Sequence, residues 1–437
     1  MADLKQLARR IFQETLAAID IPATMQRKLQ RKGARLVCNG EIFDLRDFEK
    51  LRVVAIGKAA HSMVNGLSAV LAPFVRFEGV VSAPTPPHKP LAGLRYFVAG
   101  HPTPTEESWR AAEAILALLK ECDKKTLVFF LLSGGGSALV ELPLDSRLTL
   151  EDVRQIYQAL VTCGAPIDAM NAVRKHLSAV KGGRLAAAAN DATKITLAVS
   201  DVPAGKESAL ASGPTLPDPT MIADAKRIIA EYSLAGKFPS ALCHWLDAGK
   251  MPETPKADAQ AFRNAHFSLL LGMDDLFHPA HRSAERNGFI SCCDNSTDDW
   301  PVEKAADNLL EQLEGLCQTH AGQRVALIAD GEVSSPVTGN GVGGRNSAFV
   351  LACVEKIAGK KIAVLSAGTD GIDGNSPAAG AVADGETLES ARAAGLDPAD
   401  AFRRSDAFTF FSRLEDAIVT GPTGNNLRDL RILISEP

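Results

Sequence analysis

Aromatic residues make up 5% of this 437-residue chain, and no apolar run approaches the length that crosses a membrane. No block of lysine and arginine appears, and acids and bases are interspersed to a formal net charge of −5. We therefore expect no membrane span and no nucleic-acid partner. Apolar residues still account for 46% of the chain, enough for the cores of two or three ordinary domains.

The eight cysteines are scattered, and Cys292-Cys293 is the one close pair. No Cys-x-x-Cys or His-x-x-x-His spacing appears, so we expect reduced thiols and no structural zinc. Met1 to Lys5 open a charged amphipathic pattern that differs from a signal peptide. These features predict a cytoplasmic protein.

The distribution of apolar residues predicts an α/β fold. Apolar positions recur at helical spacing between Leu4 and Ile19, and Thr149 with Asp152 resembles a capping box that opens a helix at about Leu150. Elsewhere, short runs that are apolar on both faces alternate with helical patterns, which favours a doubly wound, mostly parallel sheet. The clearest runs are Arg52–Ile56, Gly79–Ser82, Thr126–Leu132, Ile195–Val199, Arg324–Ala329 and Lys361–Leu365.

A polar, proline-bearing stretch at residues 249–256 indicates a loop or a domain linker. A second α/β series follows from His266 to the C-terminus. We therefore predict a large Rossmann-like domain over residues 1–245 and a smaller α/β domain over residues 246–437.

Nearly every strand-like run ends in a polar or glycine-rich cluster. In open α/β sheets, ligands bind outside the carboxyl ends of the strands, so these clusters are expected to line shared clefts. The clusters lie at residues 57–60, 133–137, 200–203, 330–332 and 366–371.

The glycine loop is the sharpest of these clusters. Three consecutive glycines let the backbone approach an anion closely, and a helix following at Ala138 would add its positive end. The alternative is a tight turn that needs glycine for its geometry alone, but we favour phosphate binding. A nucleophilic role for Ser137 is weakly supported, because Gly-x-Ser-x-Gly is not satisfied. The loop consists of Ser133, Gly134, Gly135, Gly136 and Ser137.

Lys58 follows a buried strand at the predicted ligand end of the sheet, where a cation suits a phosphate or a carboxylate. The alternative is a solvated lysine at a helix start, which the helix dipole would disfavour. Ala59 follows Lys58, so this is not a Walker A loop. The basic cluster Arg174, Lys175, His176, Lys181 and Arg184 is either a solvated helix face or, beside the glycine loop, part of the site.

A second glycine-rich loop spans residues 339–346 and lacks the dinucleotide fingerprint. Within it, Arg345 stands beside a helix start, where its forked guanidinium group would suit a phosphate or a carboxylate. Acids also follow several strands, and kinases use carboxylates to hold magnesium and to orient the attacking hydroxyl. The alternative for these acids is loop capping. They are Asp201, Asp330, Glu332, Asp370 and Asp373; His101 also follows a strand-like run and could reach the cleft.

Motifs running in order through almost the whole chain resemble those of the class II glycerate kinases, whose C-terminal part is the MOFRL domain. They lie at residues 55–60, 100–102, 132–139, 171–185, 200–203, 211–215, 343–346, 369–374 and 420–424. The resemblance implies ATP-dependent phosphorylation of D-glycerate at O2, giving 2-phosphoglycerate, with Mg²⁺ as the metal. It also implies an active site between the two domains, and it leaves a homodimer open.

The residues and the resemblance together predict a set of site residues. Lys58, Asp201 and Arg345 are expected to be catalytic, and Asp201 and Asp370 to hold the metal. The predicted substrate- and phosphate-binding residues are Ser133, Gly134, Gly135, Gly136, Ser137, Lys181, Asp330, Glu332, Gly343, Gly344, Asn346 and Asp370.

Several positions depart from the family pattern and bear on substrate preference. They are Ala204-Gly205, Asp330, Ser347-Ala348 and the stretch 271–275, which lacks the expected asparagine. Two other functions stay open. An NAD(P)H-dependent hydroxypyruvate reductase should carry a dinucleotide fingerprint after the first strand, where Gly57-Lys58-Ala59-Ala60 stands instead. A non-catalytic phosphosugar-binding protein could use the glycine loop but would not need the acidic strand ends.

Overall fold

A computed structural model describes residues 3–72, 76–202 and 205–437. The chain divides into two compact units. The first unit is Ile21–Leu271, and the second combines Gly272–Pro437 with the segment that ends at Asp20. In the described part of the chain, no helix has the length and apolar character of a membrane span.

The first unit is built on a six-stranded sheet in which every pairing is parallel, in the order β6-β5-β4-β7-β8-β9. A small antiparallel sheet, β1-β2-β3, accompanies it. The nine strands are β1 Leu29–Lys32, β2 Arg35–Cys38, β3 Glu41–Asp44, β4 Lys50–Ile56, β5 Glu78–Ala83, β6 Leu94–Val98, β7 Thr126–Ser133, β8 Thr193–Val199 and β9 Ala265–Leu271.

Helices connect and cover these strands. Every residue of β7 is buried, as expected for a central strand covered on both faces, and its two polar residues, Thr126 and Ser133, stand at its ends. The helices of this unit are α2 Ile21–Lys28, α3 Ala60–Leu71, α4 Glu106–Lys120, α5 Gly136–Leu139, α6 Leu150–Val161, α7 Ile167–Leu177, α8 Arg184–Ala188, α9 Ile222–Glu231 and α10 Ser240–Asp247, after α1 Leu4–Ala18 of the second unit.

The second unit has a mixed sheet in the order β10-β11-β15-β12-β13-β14. Only the β10–β11 pairing is parallel, because β15 enters between β11 and β12 in the opposite direction. Its strands are β10 Ile290–Asp294, β11 Val325–Asp330, β12 Ile362–Gly368, β13 Gly380–Asp384, β14 Ala417–Ile418 and β15 Asp429–Ser435. Its remaining helices are α11 Asp274–Arg286, α12 Val302–Thr319, α13 Arg345–Val354, α14 Thr387–Ala393, α15 Pro398–Arg403 and α16 Ala407–Arg413.

The α/β class with a mostly parallel sheet is confirmed, and all six predicted strand runs form strands. The Thr149–Asp152 capping box is present at the start of α6, where each residue's side chain accepts the other's backbone amide. The amphipathic helix predicted from Leu4 is α1, with its apolar stripe buried.

The compact units differ from the predicted domains at both ends. Strand β9 pairs with β8 and so belongs to the first unit, which extends to Leu271 instead of residue 245. Helix α1 belongs to the second unit, where Lys5 forms a salt bridge with Asp416 and Glu14 accepts a hydrogen bond from Ser283. Residues 249–256 form a loop within the first unit and no linker between the units, because Glu253 pairs with His176.

Candidate functional site

Two loops are joined at the carboxyl edge of the first unit's sheet, one after β4 and one after β7. The amide of Lys58 donates to the carbonyl oxygen of Gly134 at 3.0 Å, and the amide of Ala59 donates to Oγ of Ser133 at 3.0 Å. Gly57 makes this approach possible, because its φ is +130° and a Cβ atom there would overlap Oγ of Ser133 and lie 2.6 Å from its carbonyl oxygen. The Lys58 loop and the glycine loop are therefore one interlocked structure.

The side chains of Lys58 and His101 meet at the glycine loop. A Cβ atom built on Gly135, whose φ is +82°, would lie 3.3 Å from Cγ of Lys58 and 3.3 Å from Nε2 of His101. A side chain at position 135 would therefore crowd both residues, which favours glycine here. The helix that follows is the single turn α5, which starts at Gly136 instead of continuing from Ala138 as expected. Backbone amides of the loop, more than a helix dipole, must therefore provide any attraction for an anion.

A segment with strained backbone, residues 211–213, contacts the glycine loop. Residues 211–213 all have positive φ, although two of them are not glycine. Such backbone persists only where surrounding contacts hold it. Oγ of Ser212 lies 2.7 Å from Oγ of Ser137, its carbonyl oxygen accepts the amide of Gly182 at 3.0 Å, and Gly136 leaves room for Ala211. The segment lies in one of the family-like motifs, at residues 211–215, but its conformation was not predicted from the sequence.

A pocket of about 940 Å³ opens beside these loops, entirely within the first unit. The glycine loop and His101 form one wall, and α6 forms another. Its described lining residues are His101, Pro102, Thr103, Gly135, Ser137, Ala138, Glu151, Arg154, Gln155, Tyr157, Gln158, Ala159, Val161, Thr162, Arg174 and Lys237.

Lys181, a predicted phosphate-binding residue, is buried in an ion pair behind this pocket. Its Nζ lies 2.5 Å from Oε2 of Glu141, and the side chain is 1% exposed. The same carboxylate accepts hydrogen bonds from the hydroxyl groups of Tyr157 at 2.5 Å and Ser178 at 2.6 Å. Burial lowers the pKa of Lys181, while Glu141 opposes that shift. These hydrogen bonds and the ion pair fix the wall of the pocket, and the ammonium group of Lys181 is already paired with Glu141.

Arg345 opens α13 in the second unit and is held by two acids. Its Nε and one terminal nitrogen donate to the carboxylate of Asp429, at 2.5 and 3.2 Å, and the same terminal nitrogen lies 2.8 Å from Oε1 of Glu332. Burial opposes the charge, but Asp429 and Glu332 outweigh it and raise the pKa of Arg345. Its side chain remains 38% exposed, so a fixed guanidinium is presented at the surface of this unit.

Asp373 caps α13, which is the alternative given above for the acids that follow strands. Its carboxylate accepts the amides of Asn346 and Ser347 at 2.9 and 2.8 Å, and the hydroxyl of Ser347 at 2.6 Å. Gly344 allows this contact, since a Cβ atom there would overlap Oδ1 of Asp373. Asn346, predicted to bind substrate, is 1% exposed and accepts a hydrogen bond from Ser366 at 2.6 Å.

Asp330 is fully buried at the end of β11. Neither carboxylate oxygen has a hydrogen-bond partner among the described residues, and the nearest cation is Arg428, at 3.7 Å. Burial raises the pKa of Asp330 to about 6, and Arg428 opposes this while Asp298 adds to it. Because Arg428 also pairs with Asp298 at 2.5 Å, its charge is shared between two acids.

The other predicted residues discussed below lie in loops and turns. Asp370 accepts the amide of Ile372 at 3.0 Å, and the amide of Gly343 donates to Asn375 at 2.9 Å. Asp201 follows β8 and is partly buried; Pro203 and Ala204 lie outside the described residues. The described residues contain no group of three or more His, Cys, Asp or Glu side chains that could hold a metal ion. Side chains alone therefore do not form a closed site for Mg²⁺ in that part of the chain.

Comparison with known proteins identifies the family. Residues 7–247 match the model described as a domain of unknown function (DUF4147), and residues 325–429 match the MOFRL family. A glycerate 2-kinase from Pyrococcus horikoshii is 30% identical over 99% of this chain and 97% of its own length. The chain belongs to the glycerate 2-kinase family. Glycerate kinase from Thermotoga maritima has the same fold, with a TM-score of 0.81, 30% identity and 99% coverage of both chains.

Membership in the glycerate 2-kinase family confirms the predicted resemblance and the expected enzyme class, a kinase. A protein of Agrobacterium vitis with a provisional hydroxypyruvate reductase name is 35% identical over 98% of this chain and 94% of its own length. The reductase name is thus carried by a relative of the same family, and the turn after β4 remains without the fingerprint that a dinucleotide requires.

Sequence reasoning missed several residues that the structure places at these sites. Glu141 and Asp429 hold Lys181 and Arg345, respectively, across 40 and 84 positions of sequence. Neither acid stands in a motif that the sequence analysis used. The one available signal was a charged pair, Arg428-Asp429, at the start of a mostly apolar strand.

Proposed function

We propose that the protein transfers the γ-phosphoryl group of ATP to O2 of D-glycerate, giving 2-phosphoglycerate and ADP. The observation that carries the proposal is the convergence of the Lys58 and His101 side chains on Gly135 of the glycine loop. This loop lies at the carboxyl edge of a parallel sheet, where such folds bind their ligands. The activity of the family relatives supports the choice of substrate.

The proposed chemistry is an in-line displacement. The O2 hydroxyl attacks the γ-phosphorus, the bond to the β–γ bridging oxygen breaks, ADP leaves with that oxygen, and the hydroxyl proton is released to water. Charge on the transferring oxygens is stabilised by fixed cations. Lys58 is proposed to supply one such cation, since its backbone is locked to Gly134. For Arg345, whose orientation Asp429 and Glu332 set, we propose a catalytic role as well.

Magnesium is part of the proposal as the ion that accompanies ATP. Mg²⁺ in kinases is bound largely by phosphate oxygens and water, with one or two carboxylates. This mode does not require a closed cage of side chains, and Asp201 or Asp370 would supply a carboxylate. Asp201→Asn should lower turnover sharply in a folded protein. Unchanged wild-type turnover in excess chelator would remove the metal from the proposal.

The decisive assay supplies ATP and D-glycerate and identifies the product by phosphorus NMR, which distinguishes the 2-phosphate from the 3-phosphate. A parallel assay supplies hydroxypyruvate with NADH or NADPH. We expect turnover in the first assay and formation of the 2-phosphate. Turnover in the second assay alone would show a reductase and overturn the kinase proposal, whereas the 3-phosphate would overturn only the assignment to O2.

A further inference from the structure

The pocket beside the glycine loop has a predominantly basic lining. Arg154, Arg174, Lys237 and His101 are among the residues that form it. Glu151 is the only acid among the described lining residues, and it is already 3.4 Å from a terminal nitrogen of Arg154. An anionic ligand would therefore enter a pocket that carries an excess of positive charge.

Arg174 is the most unusual of these cations. Its Cζ atom lies 4.8 Å from the centroid of the Tyr157 ring, so the guanidinium group stacks on the aromatic face. Its Nε atom is buried and has no hydrogen-bond partner among the described residues. No salt bridge to its guanidinium group occurs in residues 3–72, 76–202 or 205–437. A buried donor without an acceptor costs free energy, and the described protein groups leave the hydrogen-bonding capacity of this guanidinium group unused.

The stacking surface is itself fixed. The Tyr157 hydroxyl donates to Glu141 at 2.5 Å and lies 2.9 Å from the carbonyl oxygen of Ser137, which belongs to the glycine loop. Burial and the nearby Glu141 raise the pKa of Tyr157, so the phenol keeps its proton and continues to donate. The guanidinium plane of Arg174 thus lies against the Tyr157 ring, which is hydrogen-bonded to the glycine loop, and its N–H donors remain available.

We infer that Arg174 is a binding residue for a phosphate group of the nucleotide substrate, an inference that rests on the proposed kinase function. An unpaired planar fork matches the oxygens of either a phosphate or a carboxylate. The size of the pocket favours the nucleotide, because about 940 Å³ far exceeds what a three-carbon acid fills and lies at the upper end of the range for ligand pockets. Arg154, Lys237 and His101 suit a polyphosphate better than a single carboxylate.

The test compares Arg174→Ala and Arg174→Lys with a matched control, Arg110→Ala. Arg110 lies on α4 and is exposed, and within the described residues its salt bridges are to Glu106 and Glu107. Calorimetry would measure the dissociation constants of ADP and inorganic tripolyphosphate, and kinetics would measure KM for ATP and for D-glycerate. Arg174→Ala should weaken ADP and tripolyphosphate by about 30- to 100-fold, the loss expected for a charged hydrogen bond.

The same variant should change KM for D-glycerate by no more than about twofold. Arg174→Lys should recover part of the affinity, because it restores the charge without the fork. Arg110→Ala should bind both ligands as the wild type does. Circular dichroism would establish that each variant is folded, and Arg174→Lys carries the test if the alanine variant is not.

Two results would overturn the inference. An increase in KM for D-glycerate with unchanged ADP affinity would assign Arg174 to the carboxylate of the acceptor. Unchanged affinity for every ligand in a folded Arg174→Ala variant would remove it from the site. Failure of the proposed function looks different: the wild type would not phosphorylate D-glycerate, yet tripolyphosphate binding would still depend on Arg174.

Discussion

Replacing Lys181 by methionine tests whether this lysine supports the fold or binds substrate. Methionine keeps most of the length and volume of the side chain and removes the charge. In the structure, Nζ of Lys181 lies 2.5 Å from Glu141 and 3.3 Å from the carbonyl oxygen of Val140, and both charged side chains are at most 5% exposed. The substitution would leave the Glu141 carboxylate buried with only neutral donors, namely Tyr157, Ser178 and one amide.

Removing one partner of a buried ion pair costs about 3–5 kcal/mol, because the remaining charge has lost its compensation. We therefore expect Lys181→Met to lower the free energy of unfolding by about that amount in urea denaturation. The double variant Lys181→Met/Glu141→Gln should recover much of the loss, since it removes both charges. As a control, Lys206→Met breaks an exposed salt bridge to Asp168, at 3.0 Å, and should cost at most about 1 kcal/mol.

Kinetics at a temperature where Lys181→Met is folded complete the test. If the lysine is structural, the variant should keep KM values near those of the wild type. The reasoning is refuted if Lys181→Met has the wild-type unfolding free energy and a raised KM for ATP or D-glycerate. That result would restore the phosphate-binding role that the sequence analysis predicted.

Three further predictions concern other parts of the two units. Lys58→Ala should lower kcat by about two to three orders of magnitude if its ammonium group stabilises the transferring phosphoryl group, and a folded variant with wild-type steady-state kinetics would exclude it from the site. The folded pKa of Asp330, about 6, exceeds the ordinary value of 3.8, so the contribution of this acid to stability is lost as the pH rises. Asp330→Asn should therefore gain about 2 kcal/mol of unfolding free energy relative to the wild type between about pH 4.5 and about pH 7.5 in urea titrations. Parallel pH dependences of the two proteins would contradict this prediction. Gly344→Ala should destabilise the protein by about 1–3 kcal/mol, because the new methyl group displaces Asp373 from the cap of α13. As a control, Gly315→Ala in α12, where a Cβ atom would have no neighbour within 4 Å, should stabilise the protein by about 0.5–1 kcal/mol. Equal shifts in melting temperature for the two variants would argue against the clash.

The sequence by itself determined the α/β class and the strands, and it placed the glycine loop at the carboxyl end of a strand. Runs such as Thr126–Leu132 are apolar on both faces, and only a strand covered by helices on each side buries them fully. The sequence also located the Lys58 loop and the glycine loop, because the positive φ of Gly57 in the first and of Gly135 in the second favours residues that lack a side chain. These features depend on neighbouring residues along the chain, so local pattern was sufficient to predict them.

Tertiary structure alone decided which charges are paired and to which unit each segment belongs. Lys181 and Arg345 look alike in sequence, as cations beside glycines, yet Glu141 buries the first while Asp429 holds the second partly exposed. Helix α1 joins the C-terminal unit because its buried stripe and its salt bridge to Asp416 find partners there. Each of these outcomes depends on contacts between residues 40 to several hundred positions apart. The periodicity of a single segment carries no information about which distant partner it meets.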